Sequence, residues 1–455
     1  EVKFTVSNLG TAVVESIEAS YQLEGSDINV TETFETEIES YDSKQFTFEM
    51  PVTLFPGEYT MTLNVSKVNG SDDQDMNNNS VTQNVTVAYG SVGRTAFIEH
   101  FSSSTCYPCV FVNQDMEALT AANPGKYTYV KYPMNGPETG DPYYTNECGT
   151  RRSYYNVNAV PTMFLDGKST LAPQTQLDLD QSLSQSTFLN IQGAFNVEGN
   201  TINVTADFMA YSDIANAKAY IAVNEKTTTG NVGTNGEKEF HHIMMKMLTS
   251  AQGESISLNA GEIKHFEYTF DMSTTNVEDM NDLEVAIWLQ NQTNKEVYNS
   301  KFAMEYTEHL YAVEDLSAGI DGDYVTFIIN WNKPEKANPT GYNIYLDGEL
   351  IEENYTETSY SGGSSETIDY LEDGNQHIVE VVAVYENGTS VGSAVLVTKG
   401  TNVSEITENN ISVYPNPAND FVKLSAVSGQ LSVVKIYNCL GMMVEEIEVN
   451  SNEIE

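Results

Sequence analysis

The sequence predicts a multidomain, mainly β protein that contains one α/β segment. Short runs of alternating polar and apolar residues recur along most of the 455 residues and are separated by Gly, Pro and Asn clusters. Near residue 100 the pattern changes, and an apolar strand leads into a helix. At the usual domain size of about 150 residues the length gives about three domains, and the turn punctuation favours more and smaller ones.

Residues 1–89 are predicted to form an antiparallel β-sandwich. Runs such as 46–50 and 59–65 alternate between polar and apolar side chains, as half-buried strands do. The segment resembles the immunoglobulin-like modules of bacterial cell-surface proteins. Its loop 69–79 carries enough oxygen ligands for calcium but lacks the regular spacing of a calcium loop, so we interpret it as a solvated hairpin tip.

The sequence Cys106-Tyr107-Pro108-Cys109 follows the apolar strand 95–101. Two thiols at this spacing can close a small disulfide ring and reopen it by exchange. At the first turn of a helix, unpaired backbone N–H groups favour the thiolate of Cys106, and Cys109 lies one turn later, where it can resolve a mixed disulfide. The motif therefore predicts redox chemistry.

A second signal, Val160-Pro161-Thr162, opens the strand 162–165. If the Val160–Pro161 bond is cis, the backbone of Val160 is exposed to pair with an extended substrate peptide beside the cysteines. Tyr107, Val160 and Thr162 are accordingly the predicted substrate-binding residues.

Together these motifs and the segment 151–167 resemble the thioredoxin fold over about residues 91–186. The resemblance implies an α/β thioredoxin-like domain at 90–188, with Cys106 as the attacking cysteine, Cys109 as the resolving cysteine and Pro161 as the cis-proline. A helix over 174–188 is expected to close it.

One position departs from the thioredoxin pattern. Where the family usually has a buried carboxylate, six residues before the first cysteine, this chain has His100, and Glu99 lies on the opposite face of the strand. His100 is a candidate base, because an unperturbed histidine has a pKa of about 6.5. A purely structural histidine is the equal alternative.

Other interpretations of the cysteines remain open. A structural zinc site needs four ligands, and the chain offers no second Cys-x-x-Cys, only Cys148, Cys439 and scattered histidines, so no metal site is expected. The pair His241-His242 is not expected to bind metal, because neighbours on a strand point to opposite faces. Alternatively, the disulfide is a structural cross-link that only stabilises the local fold. Cys148 is either an extra redox thiol or a buried inert one.

The remaining segments resemble surface modules. Residues 189–308 are predicted to form a second immunoglobulin-like sandwich, and 91–308 together resemble a family of outer-membrane proteins that pair a thioredoxin module with a sandwich. Residues 309–400 resemble a fibronectin type III domain, with Trp331 and the tyrosines of 341–348 as its core.

Residues 401–455 resemble the C-terminal sorting domain of type IX secretion. The turn Tyr414-Pro415-Asn416-Pro417 and the strand that ends in Gly441 carry the resemblance. It implies contact with the type IX secretion machinery, export to the outer-membrane surface or the extracellular space, and removal of Cys439 with the sorting domain. The family's final strands are expected beyond Glu455.

Composition restricts the partners. The formal net charge is −44, from 65 acidic and 21 basic residues, which argues against nucleic acid and anionic membrane surfaces. The chain has no run of 18 or more apolar residues, so no transmembrane helix is predicted. No signal peptide is present, and the chain opens inside a strand-like run, as a trimmed mature form would.

The sequence thus predicts an exported cell-surface protein that resembles thiol–disulfide oxidoreductases. Its expected partners are protein or peptide thiols and disulfides, and other outer-surface proteins. No cofactor is expected beyond the redox-active disulfide itself. The alternative is a surface binding or assembly protein whose thioredoxin-like domain is a scaffold with a structural disulfide. A buried Cys106 sulfur or a trans Val160–Pro161 bond would favour the scaffold.

Overall fold

The computed structural model describes residues 2–24, 28–50, 52, 54, 56–73, 75–320, 327–362 and 376–398, and the backbone of the strands at 411–414, 423–426, 431–437, 443–451 and 453–454. The chain divides into two compact units. The first holds residues 1–318, 329–360 and 378–396, and the second holds 319–328, 361–377 and 397–455.

The N-terminal segment is a β-sandwich. Its strands are β1 (Lys3–Ser7), β2 (Val14–Leu23), β3 (Asn29–Ile38), β4 (Ser43–Thr47), β5 (Gly57–Val68) and β6 (Ser80–Val87). One sheet pairs β1 with β4, and the other has the order β3-β2-β5-β6. Alternate residues of β2, among them Ile17, Ala19 and Tyr21, are buried against Phe4 and Phe48, so the predicted alternation is what fills this core.

An α/β segment follows. Its elements are β7 (Val92–Gly93), β8 (Ala96–Ser102), α1 (Tyr107–Ala122), β9 (Tyr127–Pro133), α2 (Asn146–Tyr155), β10 (Thr162–Leu165), β11 (Lys168–Thr170) and α3 (Gln176–Leu183). The sheet order is β11-β10-β8-β9, with β8 and β9 parallel and the other pairs antiparallel. The helix expected at 174–188 is shorter, because the chain enters β12 (Ser186–Thr187) after Gln185.

Residues 189–305 form a second two-sheet arrangement. Its strands are β13 (Leu189–Glu198), β14 (Thr201–Ala210), β15 (Ile214–Thr228), β16 (Phe240–Met247), β17 (Glu254–Leu258), β18 (Ile263–Asp271), β19 (Leu283–Asn291), β20 (Val297–Phe302) and β21 (Met304–Glu305). The sheet β18-β14-β13-β21 faces the strands β16-β15-β19-β20 across a core that includes Ile191, Phe208, Ile221 and Ile287.

A single sheet runs through both of these segments. β9 pairs in parallel with β16, where Lys131 lies beside Ile243, and this pairing joins a nine-stranded sheet in the order β11-β10-β8-β9-β16-β15-β19-β20, with β17 beside β15. A second core lies on the other face of β15 and β19, where Trp288 stacks on Phe97 with ring centroids 4.6 Å apart. Both faces of these central strands are therefore buried.

The next strands are β22 (Glu314–Ile320), β23 (Phe327–Asn332), β24 (Gly341–Leu346), β25 (Glu349–Tyr355), β26 (Ser359–Gly362), β27 (Gln376–Tyr385), β28 (Gly388–Thr389) and β29 (Ser393–Thr398). They form the sheets β22-β23-β26 and β25-β24-β27-β28, with β29 beside β27. Trp331 is buried, and its ring centroid lies 5.2 Å from that of Tyr342, as expected for a core tryptophan.

The C-terminal strands are β30 (Ile411–Tyr414), β31 (Lys423–Ala426), β32 (Leu431–Tyr437), β33 (Met443–Ser451) and β34 (Glu453–Ile454). They pair as β30-β31-β34 and β32-β33, all antiparallel. The Pro415-Asn416-Pro417 turn, Cys439 and Gly441 lie outside the described residues.

Candidate functional site

Cys106 and Cys109 form a disulfide at the start of α1. Cys106 is the N-cap residue, with extended backbone, and the N–H of Cys109 points at its Sγ over 3.2 Å. Pro108 occupies the first helical turn, where its missing N–H costs nothing. The local geometry is thus the one that the Cys-x-x-Cys spacing predicts.

The Val160–Pro161 segment meets this disulfide. The Val160–Pro161 peptide bond is cis, and the Val160 carbonyl oxygen lies 3.7 Å from Cys106 Sγ. Thr162 then enters β10 opposite Phe101, and its hydroxyl donates to the Ala159 carbonyl over 2.8 Å. The fold therefore brings Cys106, Cys109, Val160 and Pro161 together, although Val160 lies 51 positions after Cys109 in the sequence.

The disulfide is buried. Cys106 is 1% exposed and Cys109 is fully buried. Residues 229–239, between β15 and β16, lie against the motif, and we call them the cover loop. The Asn235 backbone N–H donates to the Ser104 carbonyl over 3.0 Å, and its side-chain amide donates to the Cys106 carbonyl over 3.4 Å. The attacking role predicted for Cys106 requires an accessible sulfur, and no local sequence pattern indicated this cover.

The cover loop is tied down along its length. Asn113 of α1 donates to the Glu237 carboxylate over 2.8 Å, and Thr234 donates to the Glu138 carboxylate over 2.7 Å. At its start the backbone N–H groups of Thr229 and Gly230 both donate to Glu278. Several independent contacts therefore hold the loop over the disulfide.

His100 is completely buried beneath the site. Its Nδ1 shares a 2.7 Å hydrogen bond with the Tyr129 hydroxyl, and its Nε2 has no partner among the described residues. Burial, helped by the charge of Lys131, lowers the pKa of His100 well below 6.5. His100 is therefore neutral at physiological pH and a weak proton acceptor, which supports the structural interpretation over the catalytic one.

Tyr107 lies at the surface of the motif. It is 67% exposed and Phe111, one turn later on α1, is 56% exposed. Their rings meet edge to face with centroids 5.8 Å apart. The helix start thus presents an aromatic pair to solvent, although the neighbouring sulfurs are covered.

Sequence reasoning missed a buried charge network on the opposite face of β8. Arg151 donates to the Glu99 carboxylate over 2.6 Å, and both residues are completely buried. The hydroxyls of Tyr132 and Tyr155 also donate to Glu99, over 2.9 and 2.5 Å. The alternation along β8 placed Glu99 opposite His100 correctly, but no sequence signal indicated that Arg151 of α2 would be its partner.

Cys148 is a buried free thiol. Burial raises its pKa to about 12, so it is protonated at neutral pH. Its Sγ lies 3.3 Å from the Thr145 hydroxyl. An inert packing role fits this environment better than an extra redox role.

His241 and His242 line the same cavity, so the prediction that they point to opposite faces is wrong. His242 has a positive φ of 59°, which interrupts the strand alternation that the prediction assumed. His242 Nδ1 lies 2.7 Å from the Glu284 carboxylate, and His241 Nε2 lies 3.8 Å from that of Glu117. Each histidine therefore has its own acidic neighbour.

Within the described residues, one group of side chains has the composition of a metal site: Asp207, His265 and His309. His265 and His309 contact separate oxygens of Asp207 at 2.5 and 2.6 Å. Ligand atoms around a zinc ion lie more than about 3 Å from each other, because each bond to the ion is about 2.0–2.1 Å long. These contacts describe a hydrogen-bonded trio in which the carboxylate is already satisfied.

The comparisons with known proteins identify the C-terminal region. Residues 412–455 match the family described as "Secretion system C-terminal sorting domain". This domain directs the protein to the outer-membrane surface or the extracellular space, which confirms the predicted localisation. No helix among the described residues is long and apolar enough to cross a membrane.

The structural likenesses are weak. HBP35 of Porphyromonas gingivalis is 12% identical, with a TM-score of 0.39, and the match covers 68% of this chain and 100% of that one. Protein AGR_C_4864 from Agrobacterium tumefaciens is 14% identical, with a TM-score of 0.35, over 49% of this chain and 99% of that one. The FN1-FN3 domains of chicken CNTN1 give 9% identity and a TM-score of 0.17, over 87% of this chain and 94% of that one. No curated protein matches the sequence.

Proposed function

We propose that this exported protein acts at the cell surface by binding or assembly, and that its thioredoxin-like segment (90–188) is a scaffold stapled by the Cys106–Cys109 disulfide. The sheet order β11-β10-β8-β9, with α1 after β8, supports the thioredoxin resemblance. The burial of both sulfurs under the cover loop carries the functional proposal.

Access decides between a staple and an exchange centre. Thiol–disulfide exchange needs a thiolate to approach a sulfur directly, so a substrate must reach Cys106. Here Cys106 is 1% exposed, and the cover loop is bonded to Ser104 and to the Cys106 carbonyl. A disulfide shielded in this way resists reduction and stabilises the chain instead.

Thiol–disulfide exchange is the second candidate function. It is supported by the N-cap position of Cys106, where the Cys109 N–H would stabilise a thiolate, and by the contact between Cys106 Sγ and the cis Val160–Pro161 segment. The reduced Cys106 thiolate would attack a substrate disulfide, release one substrate thiol and form a mixed disulfide. Cys109 would then attack Cys106, release the second substrate thiol and restore the ring, after which an external dithiol would reduce the ring and itself be oxidised to a disulfide.

The reduction potential of the Cys106–Cys109 pair, measured on the full chain in thiol buffers of graded potential, separates the two functions. We expect a structural disulfide, with a potential below about −300 mV, and no turnover of a protein disulfide substrate. Cys106→Ser, which cannot form the Cys106–Cys109 disulfide, is the control that assigns the measured potential to this pair. A potential between about −270 and −120 mV, with turnover lost in Cys106→Ser, would overturn the scaffold proposal in favour of exchange.

A further inference from the structure

A cavity of about 370 Å³ lies where the α/β segment joins the second two-sheet arrangement. Its walls come from α1, from β9 and from the strands β15, β16 and β19. Cavities at such junctions, lined by aromatic rings with a few polar groups, are the usual places for small-molecule ligands. Neither the cysteines nor the cis-proline contributes to this cavity.

Lys131 is the unusual residue of the cavity. It is 3% exposed and lines the cavity from β9. Its ammonium lies 5.9 Å from the centroid of the Tyr129 ring, and among the described residues it makes no hydrogen bond or ion pair. Burial lowers the pKa of Lys131 to about 8, although the charges of Glu117, Glu237 and Asp141 act in the opposite direction. The side chain is therefore charged at neutral pH, and a buried charge without a counter-ion in contact is costly.

The other charged groups of the cavity already have partners. Lys226 binds the Glu305 carboxylate over 2.5 Å, and His242 contacts that of Glu284 over 2.7 Å. The carboxylate of Glu117 lies 3.8 Å from His241. The ammonium of Lys131 is thus the positive charge of the cavity that lacks a counter-ion in direct contact.

Aromatic rings form one wall. The His242 ring stacks on Tyr129, with centroids 4.8 Å apart, and Tyr127 meets His242 edge to face at 6.0 Å. Tyr129 is 2% exposed beneath His242, so the half-buried rings of Tyr127 and His242 are the ones that a ligand can reach. The volume also exceeds what an inorganic anion would fill.

We propose that this cavity binds a small organic anion, a carboxylate on a planar apolar body, with the carboxylate on the Lys131 ammonium and the body against Tyr127 and His242. The ligand would supply the missing counter-ion and fill the space beside the rings. This proposal is independent of whether the Cys106–Cys109 disulfide is structural or exchanging.

Benzoate is the probe, titrated calorimetrically into the full chain at pH 7, with benzamide as its neutral isostere and inorganic phosphate as the small anion. We expect benzoate to bind at least tenfold more tightly than either. Lys131→Met should weaken benzoate binding at least tenfold, whereas Lys168→Met, which removes an exposed lysine of the same segment, should leave it unchanged. Equal binding of benzoate and benzamide, or unchanged binding in Lys131→Met, would overturn the proposal.

A second measurement does not depend on the variant folding. The Lys131 side chain of the wild-type protein is followed by NMR as benzoate is added. An anion in contact with the ammonium must raise the pKa of Lys131 above about 8. If saturating benzoate leaves that pKa unchanged, or if phosphate alone raises it, the proposed organic-anion site is wrong.

Discussion

At the residue scale, the buried charges of the α/β segment fall into two kinds. Glu99 and Arg151 are ion-paired and receive further hydrogen bonds from tyrosines, so each charge is compensated. Lys131, on the opposite face of the same sheet, lies 5.9 Å from the centroid of the Tyr129 ring and has no counter-ion in contact among the described residues. An unpaired buried charge destabilises the folded protein, so its removal should raise the stability. Removal of one member of a buried ion pair should lower the stability, because the other charge is left without its counter-ion.

Lys131→Met is expected to stabilise the ligand-free protein. The folded-state pKa of about 8 lies below the unfolded value of about 10.4, so the penalty for the buried charge is fully present below pH 8 and fades as the pH rises toward 10.4. The gain at pH 7 should be at most about 3 kcal/mol and smaller at pH 9.5. Thermal unfolding of both proteins at the two pH values checks this. A lower melting temperature for Lys131→Met at pH 7 would contradict it.

Glu99→Gln is expected to destabilise the segment strongly. It leaves the Arg151 guanidinium buried without its counter-ion, a change that costs about 3–5 kcal/mol. Glu296→Gln is the matched control, because the Glu296 carboxylate pairs with the exposed Lys168 over 3.6 Å and its loss should cost under about 1 kcal/mol. Denaturant unfolding followed by near-UV circular dichroism gives both values. A similar decrease in the free energy of unfolding in the two variants would show that the buried network does not stabilise the packing of α2 on the sheet.

At the element scale, the cover loop and the central strands decide what the Cys-x-x-Cys motif can do. The loop comes from the β15–β16 connection, more than a hundred residues after the cysteines. It fits closely: a Cβ added at Gly233 would lie 2.4 Å from the Ser104 carbonyl oxygen. The absence of a side chain at this position therefore allows the loop to approach the motif.

Gly233→Ala should uncover the disulfide. The added methyl group collides with backbone atoms, which cannot rotate away as a side chain can, so the closed position of the loop is disfavoured. We expect dithiothreitol to reduce the Cys106–Cys109 bond about tenfold faster, through more frequent local opening. Gly93→Ala is the control, since a Cβ there meets no atom within 4 Å. An unchanged rate in Gly233→Ala would mean that the loop does not limit access.

At the scale of the whole molecule, the α/β segment and the second two-sheet arrangement share one sheet and one core. Phe97 of β8 stacks on Trp288 of β19, which in turn stacks on Tyr220 of β15 at 5.0 Å. Separation of residues 90–188 from 189–308 would expose these rings to water. The two stretches should therefore fold as one cooperative unit.

A fragment of residues 90–188 is expected to remain unfolded or to aggregate, whereas 90–308 should fold. Even the loss of Trp288 alone would cost about 3–5 kcal/mol, and the short fragment loses the whole of β15, β16, β19 and β20. Near-UV circular dichroism and calorimetry of the two fragments test this. A cooperative thermal transition in 90–188 alone would contradict the shared core.

Much of this organisation could be predicted from local patterns. Alternation predicted the mainly β architecture, and the strand before Cys106, the helix start at the cysteines and the β-hairpin after Pro161 all follow from short motifs. The continuous apolar run Val285–Leu289 in β19 is typical of a strand buried on both faces, as this strand is in the structure. The proposed domain boundaries stay predictions.

The strand-rich fold, the disulfide spacing and the sorting domain are all encoded locally, because each depends on residues that are neighbours along the chain. Three other properties arise on folding: the cover loop buries the disulfide, Arg151 neutralises Glu99, and Lys131 lines a cavity without a counter-ion in contact. These properties depend on contacts between residues far apart in the sequence, such as Arg151 and Glu99, 52 positions apart, and Asn235 and Cys106, 129 positions apart. A side chain's burial and charge partners are set by such contacts rather than by its own local pattern.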